Sequence, residues 1–199
     1  MSTRDTKPTL WFVRHGESTW NAAGLVQGQA EGPVLTAKGR REAARVAEHL
    51  GKARITAIYT SDLERAHETA AIIGHTLRLP LRDAPALRER NFGGAEGRPL
   101  AALETAVSGI EGERVVDADV RPPEGESLRE LYDRVRAFVD DVDTDALDGD
   151  VVVVTHGGVI RVAQAYDSGV DVDAMPWGPV PNASVWSLGR PCPAVAVVQ

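Results

Sequence analysis

Val151-Val152-Val153-Val154-Thr155-His156-Gly157-Gly158 is the stretch on which the reading of the fold turns. Four β-branched residues in succession show no polar alternation, so both faces of the segment must be covered, as in a central strand of a parallel sheet. The run breaks off into a histidine and two glycines. Ligands of open α/β sheets gather beyond the carboxyl ends of the strands, so His156 and Gly157 stand where chemistry is expected. A second segment has the same form: Thr9 to Val13 is a short apolar run that passes directly into Arg14-His15-Gly16. His15 and His156 can therefore converge, although they lie far apart in the chain. The other three histidines, His49, His67 and His75, fall within helical segments and read as surface or packing residues.

Outward from these strands, Leu35 to Leu50 reads as a helix with Thr36 as N-cap and Ala43, Val46, Ala47 and Leu50 on one face. Ile55 to Tyr59 is a further strand, followed by Thr60-Ser61-Asp62, whose side chains are expected to cap a helix running through Ile73. Leu128, Leu131, Val135, Phe138 and Val139 restore helical spacing after Ser127, and Val159 to Ala165 is another helix. Ser184 to Leu188 and Ala194 to Val198 read as closing strands, the second suited to an edge. Alternating strands and helices predict a three-layer α/β/α sandwich with a largely parallel central sheet, built as a single domain over residues 1–199. The stretch from Pro80 to Gly125 is rich in Gly, Pro and charge, and is expected to form a loop-and-short-helix excursion, or lid, over the sheet edge.

The formal charge of -7 over 199 residues argues against nucleic acid or an anionic membrane as partner, so an anionic ligand must be held by a local cluster of arginines. Lysine occurs only at Lys7, Lys38 and Lys52. Cys192 is the sole cysteine, which rules out an intrachain disulfide and a Cys-based zinc site and suits a reducing compartment. The polar start of the chain and the want of a long apolar run point to a cytoplasmic protein with no membrane segment. No cofactor and no metal are expected.

In Leu10-Trp11-Phe12-Val13-Arg14-His15-Gly16-Glu17-Ser18-Thr19-Trp20-Asn21, Arg14 precedes a candidate nucleophile, Gly16 allows close backbone approach, and Ser18 and Asn21 add neutral donors. A phosphoryl group needs donors on its equatorial oxygens and an in-line nucleophile, and this segment can supply both. Arg14-His15-Gly16-Glu17-Ser18 with Asn21 resembles the signature of the histidine phosphatase superfamily, in its phosphoglycerate mutase-like branch. Leu35 to Ala43, Ser61 to Ala70, Leu87-Arg88-Glu89-Arg90-Asn91-Phe92-Gly93 and Val154 to Gly158 are similar to the family's later motifs and follow in the family's order. The resemblance covers the chain from about Leu10 to the strand after Asn182. It implies His15 as nucleophile, Glu89 as proton donor, and Arg14, Arg65, His156 and Asn21 as holders of the phosphoryl oxygens, with Gln27 and Gly28 near the phosphate. Glu17 and Glu96 are second choices for the acid. The adjacent Arg88 and Arg90 pose a tension, because they favour ionised Glu89 if they face it.

The resemblance implies a metal-independent phosphomonoesterase acting on a small phosphorylated metabolite through a phosphohistidine. Two alternatives remain: a phosphoglycerate-type mutase, and a non-catalytic binding protein on the same fold. Hydrolysis is favoured over transfer because Arg98, Arg114 and Arg121 are scattered rather than paired, and because Gln27 stands before Gly28. The histidines lack the helical ligand spacing of a metallohydrolase, and no dinucleotide fingerprint or phosphate-loop lysine is present. Trp20, Phe92 and Trp177 are available to line a pocket, and Met175 to Ser184 borders it in a role left open. Closing strands at a sheet edge also leave a homodimer open.

Overall fold

The computed structural model of the chain describes residues 8–101, 117–142 and 148–188. Five strands form one sheet: β1 (Leu10–Arg14), β2 (Ile55–Thr60), β3 (Leu81–Asp83), β4 (Asp150–Thr155) and β5 (Val185–Leu188). Their order is β3-β2-β4-β1-β5, parallel throughout except for β5, which pairs antiparallel with β1 from Leu10–Leu188 to Val13–Val185. The valine run is the central strand β4, and Val151 to Val154 are all wholly buried.

The period of two divides that strand between two cores. Val151 and Val153, with Phe12, pack against Leu131 and Val135 of α4 (Leu128–Asp141) and Val159, Ile160, Val162 and Ala163 of α5 (Gly157–Asp167). Val152 and Val154, with Val13, pack against Val46 and Leu50 of α2 (Ala37–Leu50) and Ala66, Ala70 and Ile73 of α3 (Glu64–Leu77). These are the three layers expected, and each buried Val contributes about 1.5–3 kcal/mol relative to exposure. Thr36 caps α2, its hydroxyl accepting from Gly39 N at 3.0 Å, and Ser127 caps α4 in a reciprocal box with Glu130. Among the described residues no helix is long and apolar enough to cross a membrane.

The structure corrects three local readings. Leu63, not a side chain of Thr60-Ser61-Asp62, occupies the N-cap of α3, without a side-chain hydrogen bond to the helix, and α3 runs four residues past Ile73. Ser61 Oγ accepts from Leu63 N at 3.3 Å, just short of the helix, and lies 2.8 Å from His156 Nε2. Leu81–Asp83 is an edge strand, paired from Ile58–Leu81 to Thr60–Asp83, inside the stretch read as an excursion. Three residues on a half-exposed edge are too few to show alternation. A one-turn helix α1 (Thr19–Ala22) is too short to show periodicity; Ser18 and Asn21 close a capping box around it. The expected strand Ala194 to Val198, Cys192, Arg114 and residues 102–116 of the excursion lie outside the described residues.

Two glycines position the first motif against α2. A Cβ at Gly16 would stand 2.3 Å from Gly39 O, and one at Gly39 would stand 2.1 Å from Glu17 O. Both obstructing atoms are backbone, so neither can swing aside. Helix propensity alone favours Gly39→Ala by about 1 kcal/mol, but overpacking costs about 1–3 kcal/mol and here meets rigid partners. The clash should win, and Gly39→Ala is expected to lower the thermal and urea midpoints. A raised midpoint would show that the loop after β1 yields freely.

Candidate active site

β1 and β4 are adjacent and parallel, so residues just beyond Arg14 and Thr155 meet at one sheet edge. The backbone ladder carries past the strands, with His15 N donating to Thr155 O at 2.9 Å and Ser61 N to Val154 O at 2.9 Å. The His15 and His156 rings lie 5.2 Å apart between centroids, and both residues are buried. Arg14, His15, Asn21, Gln27, Gly28, Arg65, Glu89 and Gly157 line one cavity of about 260 Å³.

His15 Nδ1 lies 2.7 Å from Gly16 O. A carbonyl can only accept, so Nδ1 carries the proton and Nε2 keeps its lone pair. Burial, reinforced by the positive charge of Arg14 and Arg65, holds the His15 imidazole well below its ordinary range, and burial does the same to His156 with Arg65, His15 and Arg14 adding to it. Both rings are neutral at neutral pH. Neutral His15 with a free Nε2 is the nucleophilic form.

Arg65 reaches the site from α3 and is almost wholly buried. Gly28 O accepts from its Nη2 at 2.7 Å, and the positive φ of Gly28 leaves no room for a side chain, since a Cβ would lie 2.0 Å from Glu96 Oε1. Burial pulls the Arg65 guanidinium down to about 10, opposed by Glu89 and Glu96, and it stays cationic at neutral pH. Arg14 is held by Val180 O through Nη1. Arg14 Nε, Arg65 Nε and His156 Nδ1 are buried without a hydrogen-bond partner among the described residues. Buried polar groups are rarely left unpaired, and three in one place suit an anion with several acceptor oxygens.

Ser18 departs from its expected place among the donors to phosphate. It is wholly buried, and its hydroxyl donates to Gln27 Oε1 at 2.6 Å while accepting from Asn21 N at 3.1 Å. Asn21 Oδ1 accepts from Ser18 N at 3.1 Å and from Asn182 Nδ2 at 3.0 Å. With both amide oxygens engaged, this network leaves the NH₂ groups of Asn21 and Gln27 as the donors offered to the cavity. Asn182 thus gives the Met175 to Ser184 segment a place at the site.

Glu89 is the one carboxylate among the residues lining the cavity. Its oxygens accept from Gly158 N at 3.0 Å and Arg90 N at 2.8 Å, and a Cβ at Gly158 would lie 2.2 Å from Glu89 Oε1. Its backbone oxygen accepts from Gln29 Nε2 and Arg134 Nη2, each at 3.0 Å. The neighbours that posed the tension face elsewhere: Arg88 pairs with Asp62 at 2.7 Å, and Arg90 donates to Glu126 O at 2.8 Å. Both rivals are committed as well. Glu17 pairs with Lys38 at 2.7 Å, and Glu96 accepts from Gln29 N and Phe92 N.

Sequence reasoning missed Arg134 and Arg161, and left Asn182 inside a bordering segment of open role. Only Arg161 carried a readable signal, standing four residues after Gly157 and so on the same face of α5.

Residues 10–191 match the histidine phosphatase superfamily (branch 1), and the chain belongs to that family of enzymes. A probable phosphoglycerate mutase GpmB of Yersinia enterocolitica is 39% identical over 156 residues, covering 74% of this chain and 69% of the relative. A mycobacterial glucosyl-3-phosphoglycerate phosphatase solved with VO3 superposes with a TM-score of 0.79 at 31% identity, over 90% of each chain. The protein TTHB049 from Thermus thermophilus gives 0.67 at 32% identity, over 92% of this chain and 94% of its own.

Proposed function

We propose that the protein is a phosphomonoesterase that hydrolyses a small phosphorylated metabolite through a phosphohistidine on His15. The observation that carries this reading is the His15 tautomer: Gly16 O fixes the proton on Nδ1, beside two buried guanidinium Nε–H donors that lack acceptors among the described residues. In the first step the Nε2 lone pair forms a bond to phosphorus as the ester P–O bond breaks. Glu89 gives its proton to the departing oxygen. Arg14, Arg65, His156 Nδ1 and the Asn21 amide hold the non-bridging oxygens, and Gly16 O stabilises the ring that now carries phosphorus. In the second step water attacks phosphorus, its proton passes to the Glu89 carboxylate, and the P–N bond breaks to release phosphate and restore neutral His15.

The likeness to a mycobacterial phosphatase supports hydrolysis, and the likeness to a probable mutase keeps transfer between two substrate hydroxyls as the second reading. Both begin with the same phosphoenzyme. They part in the acceptor: water in the first, a substrate alcohol in the second. The guanidinium groups supply the positive charge that a divalent cation supplies in other phosphatases, so no metal is needed in this scheme.

The test is phosphate release from a panel of small phosphomonoesters in excess chelator. Steady release is expected for at least one member. Interconversion of phosphoglycerates without release would establish the mutase instead, and release abolished by chelator would remove the metal-free scheme.

A further inference from the structure

Ser61 is wholly buried beside His156, yet the phosphoryl scheme gives its hydroxyl no part. The turn that follows β2 holds it in place: Ser61 N donates to Val154 O at 2.9 Å, and its backbone oxygen accepts from Thr60 Oγ1 at 2.9 Å. Four residues later the first turn of α3 delivers Arg65 to the phosphoryl site. One connection therefore supplies both a direct partner of the anion and a hydroxyl seated against another such partner.

The hydroxyl proton has one destination among the described residues. Leu63 N donates to Ser61 Oγ at 3.3 Å and His156 Nε2 lies 2.8 Å away, so of these two neighbours only the ring nitrogen can accept. Burial, and after it the positive charge of Arg65, keeps the His156 ring neutral, so it has a single proton to place and the bond made by one nitrogen decides the state of the other. With Nε2 accepting from Ser61, that proton stands on Nδ1. The reverse arrangement, with Nε2 donating to Oγ, leaves a buried hydroxyl proton without an acceptor and Nδ1 a buried lone pair without a donor, which would repel the oxygens of an anion. His15 and His156 thus carry their protons on the same nitrogen for opposite purposes. Gly16 O, an acceptor, holds the Nδ1 proton of His15 and frees Nε2 to attack. Ser61, a donor, occupies Nε2 of His156 and frees the Nδ1 proton for an oxygen.

We infer that Ser61 is a positioning residue of the phosphoryl site: its hydroxyl donates to His156 Nε2, sets the ring proton on Nδ1, and so makes neutral His156 a hydrogen-bond donor to the transferring group. The inference rests on the phosphoryl-transfer reading of the site, and holds alike for transfer to water and to a substrate alcohol. A ring released from Ser61 divides between its two tautomers, and an anion must first draw it back to the Nδ1–H form. A fall of the competent fraction to about a tenth weakens anion binding about tenfold.

The first measurement is nitrogen-15 NMR of the intact protein with labelled histidine, which tells a protonated ring nitrogen from a bare one and needs no turnover. The His156 signals are identified by their loss in His156→Ala. The proton is expected on Nδ1, and Ser61→Ala is expected to move it, wholly or in part, to Nε2 while His15 keeps its pattern. Binding of inorganic phosphate, followed by calorimetry, should weaken about tenfold in Ser61→Ala. Beside His156→Ala the same substitution should weaken it by less than about twofold, because Ser61 acts through the ring. The bond lost by Leu63 N costs both backgrounds alike and cancels in that cycle. A proton on Nε2 in the intact protein, a proton that stays on Nδ1 in Ser61→Ala, or a loss of phosphate affinity that persists undiminished beside His156→Ala would overturn the inference. Failure of the intact protein to bind phosphate, with the Nδ1 proton in place, would remove the phosphoryl reading and with it the role of Ser61. Phosphate bound as expected without release from any ester would uphold the inference and count against hydrolysis alone.

Discussion

His15→Ala is expected to lower kcat by at least about 10⁴-fold and to abolish an acid-labile, alkali-stable phosphoryl label on the protein, while the fold persists. The size follows from what remains. Arg14, Arg65 and His156 would still hold the phosphoryl oxygens, which sustains some catalysis over water, but removing a nucleophile that acts as a unit with its surroundings forfeits most of the rate. Neutrality of the ring matters to the measurement. Burial and the two guanidinium groups already keep His15 unprotonated at neutral pH, so the intact protein should form its labelled intermediate without a dependence on imidazole titration near 6.5. Rapid quenching with a phosphorus-labelled ester reads the intermediate directly. A label that survives the substitution would move the nucleophile elsewhere, and turnover that survives without a label would point to direct attack by water.

Much of this was legible in the sequence because the decisive signals are local. Val151 to Val154 can be covered on both faces only inside a sheet, and a parallel strand so placed must deliver the next residues to the sheet's carboxyl edge. That logic located His15 and His156 without coordinates, and Thr36 and Ser127 announced their helices by cap chemistry. What escaped depends on pairing across the chain. Leu81–Asp83 owes its strand to the edge offered by Ile58 to Thr60, which no window of a few residues contains. Ser61 reads as a cap from its neighbours, yet it is buried beside His156, 95 positions away. The tension around Glu89 stayed open in the sequence for the same reason: Arg88 and Arg90 adjoin it in the chain but bond to Asp62 and Glu126, whereas Arg134, far along the chain, donates to its backbone oxygen.

The site also shows why a glycine must stand at position 158. Gly158 makes room for the Glu89 carboxylate and donates to it, whereas a Cβ at Gly157 would make only ordinary contacts, 3.7 Å from Arg14 Nε and Arg161 Nη1. The start of α5 is thereby occupied by an acid from another segment rather than by its own cap, since His156 makes no capping bond. The helix terminus positions Glu89 beside the cavity, and the favourable interaction of a carboxylate with the N-terminal N–H groups helps to fix it there.

Glu89→Gln should separate the two chemical steps. For an alkyl phosphate the departing alkoxide needs a proton, so loss of the acid should slow phosphoenzyme formation by about 10²–10⁴-fold. An aryl phosphate with an acidic phenol needs no such help, and its first step should be nearly retained. Breakdown of the phosphoenzyme still needs a base to take the proton of the attacking water, and glutamine cannot serve. The variant is therefore expected to release one equivalent of phenol in a burst and then to turn over slowly, with labelled His15 accumulating. Glutamine keeps the side-chain shape but has one oxygen where glutamate has two, so either Gly158 N or Arg90 N loses its acceptor. A general loosening of the site from that loss would slow the first step alike for both esters, with no burst. Equal first-step losses would thus deny Glu89 the proton, and a burst with the aryl ester alone would assign it both the acid and the base.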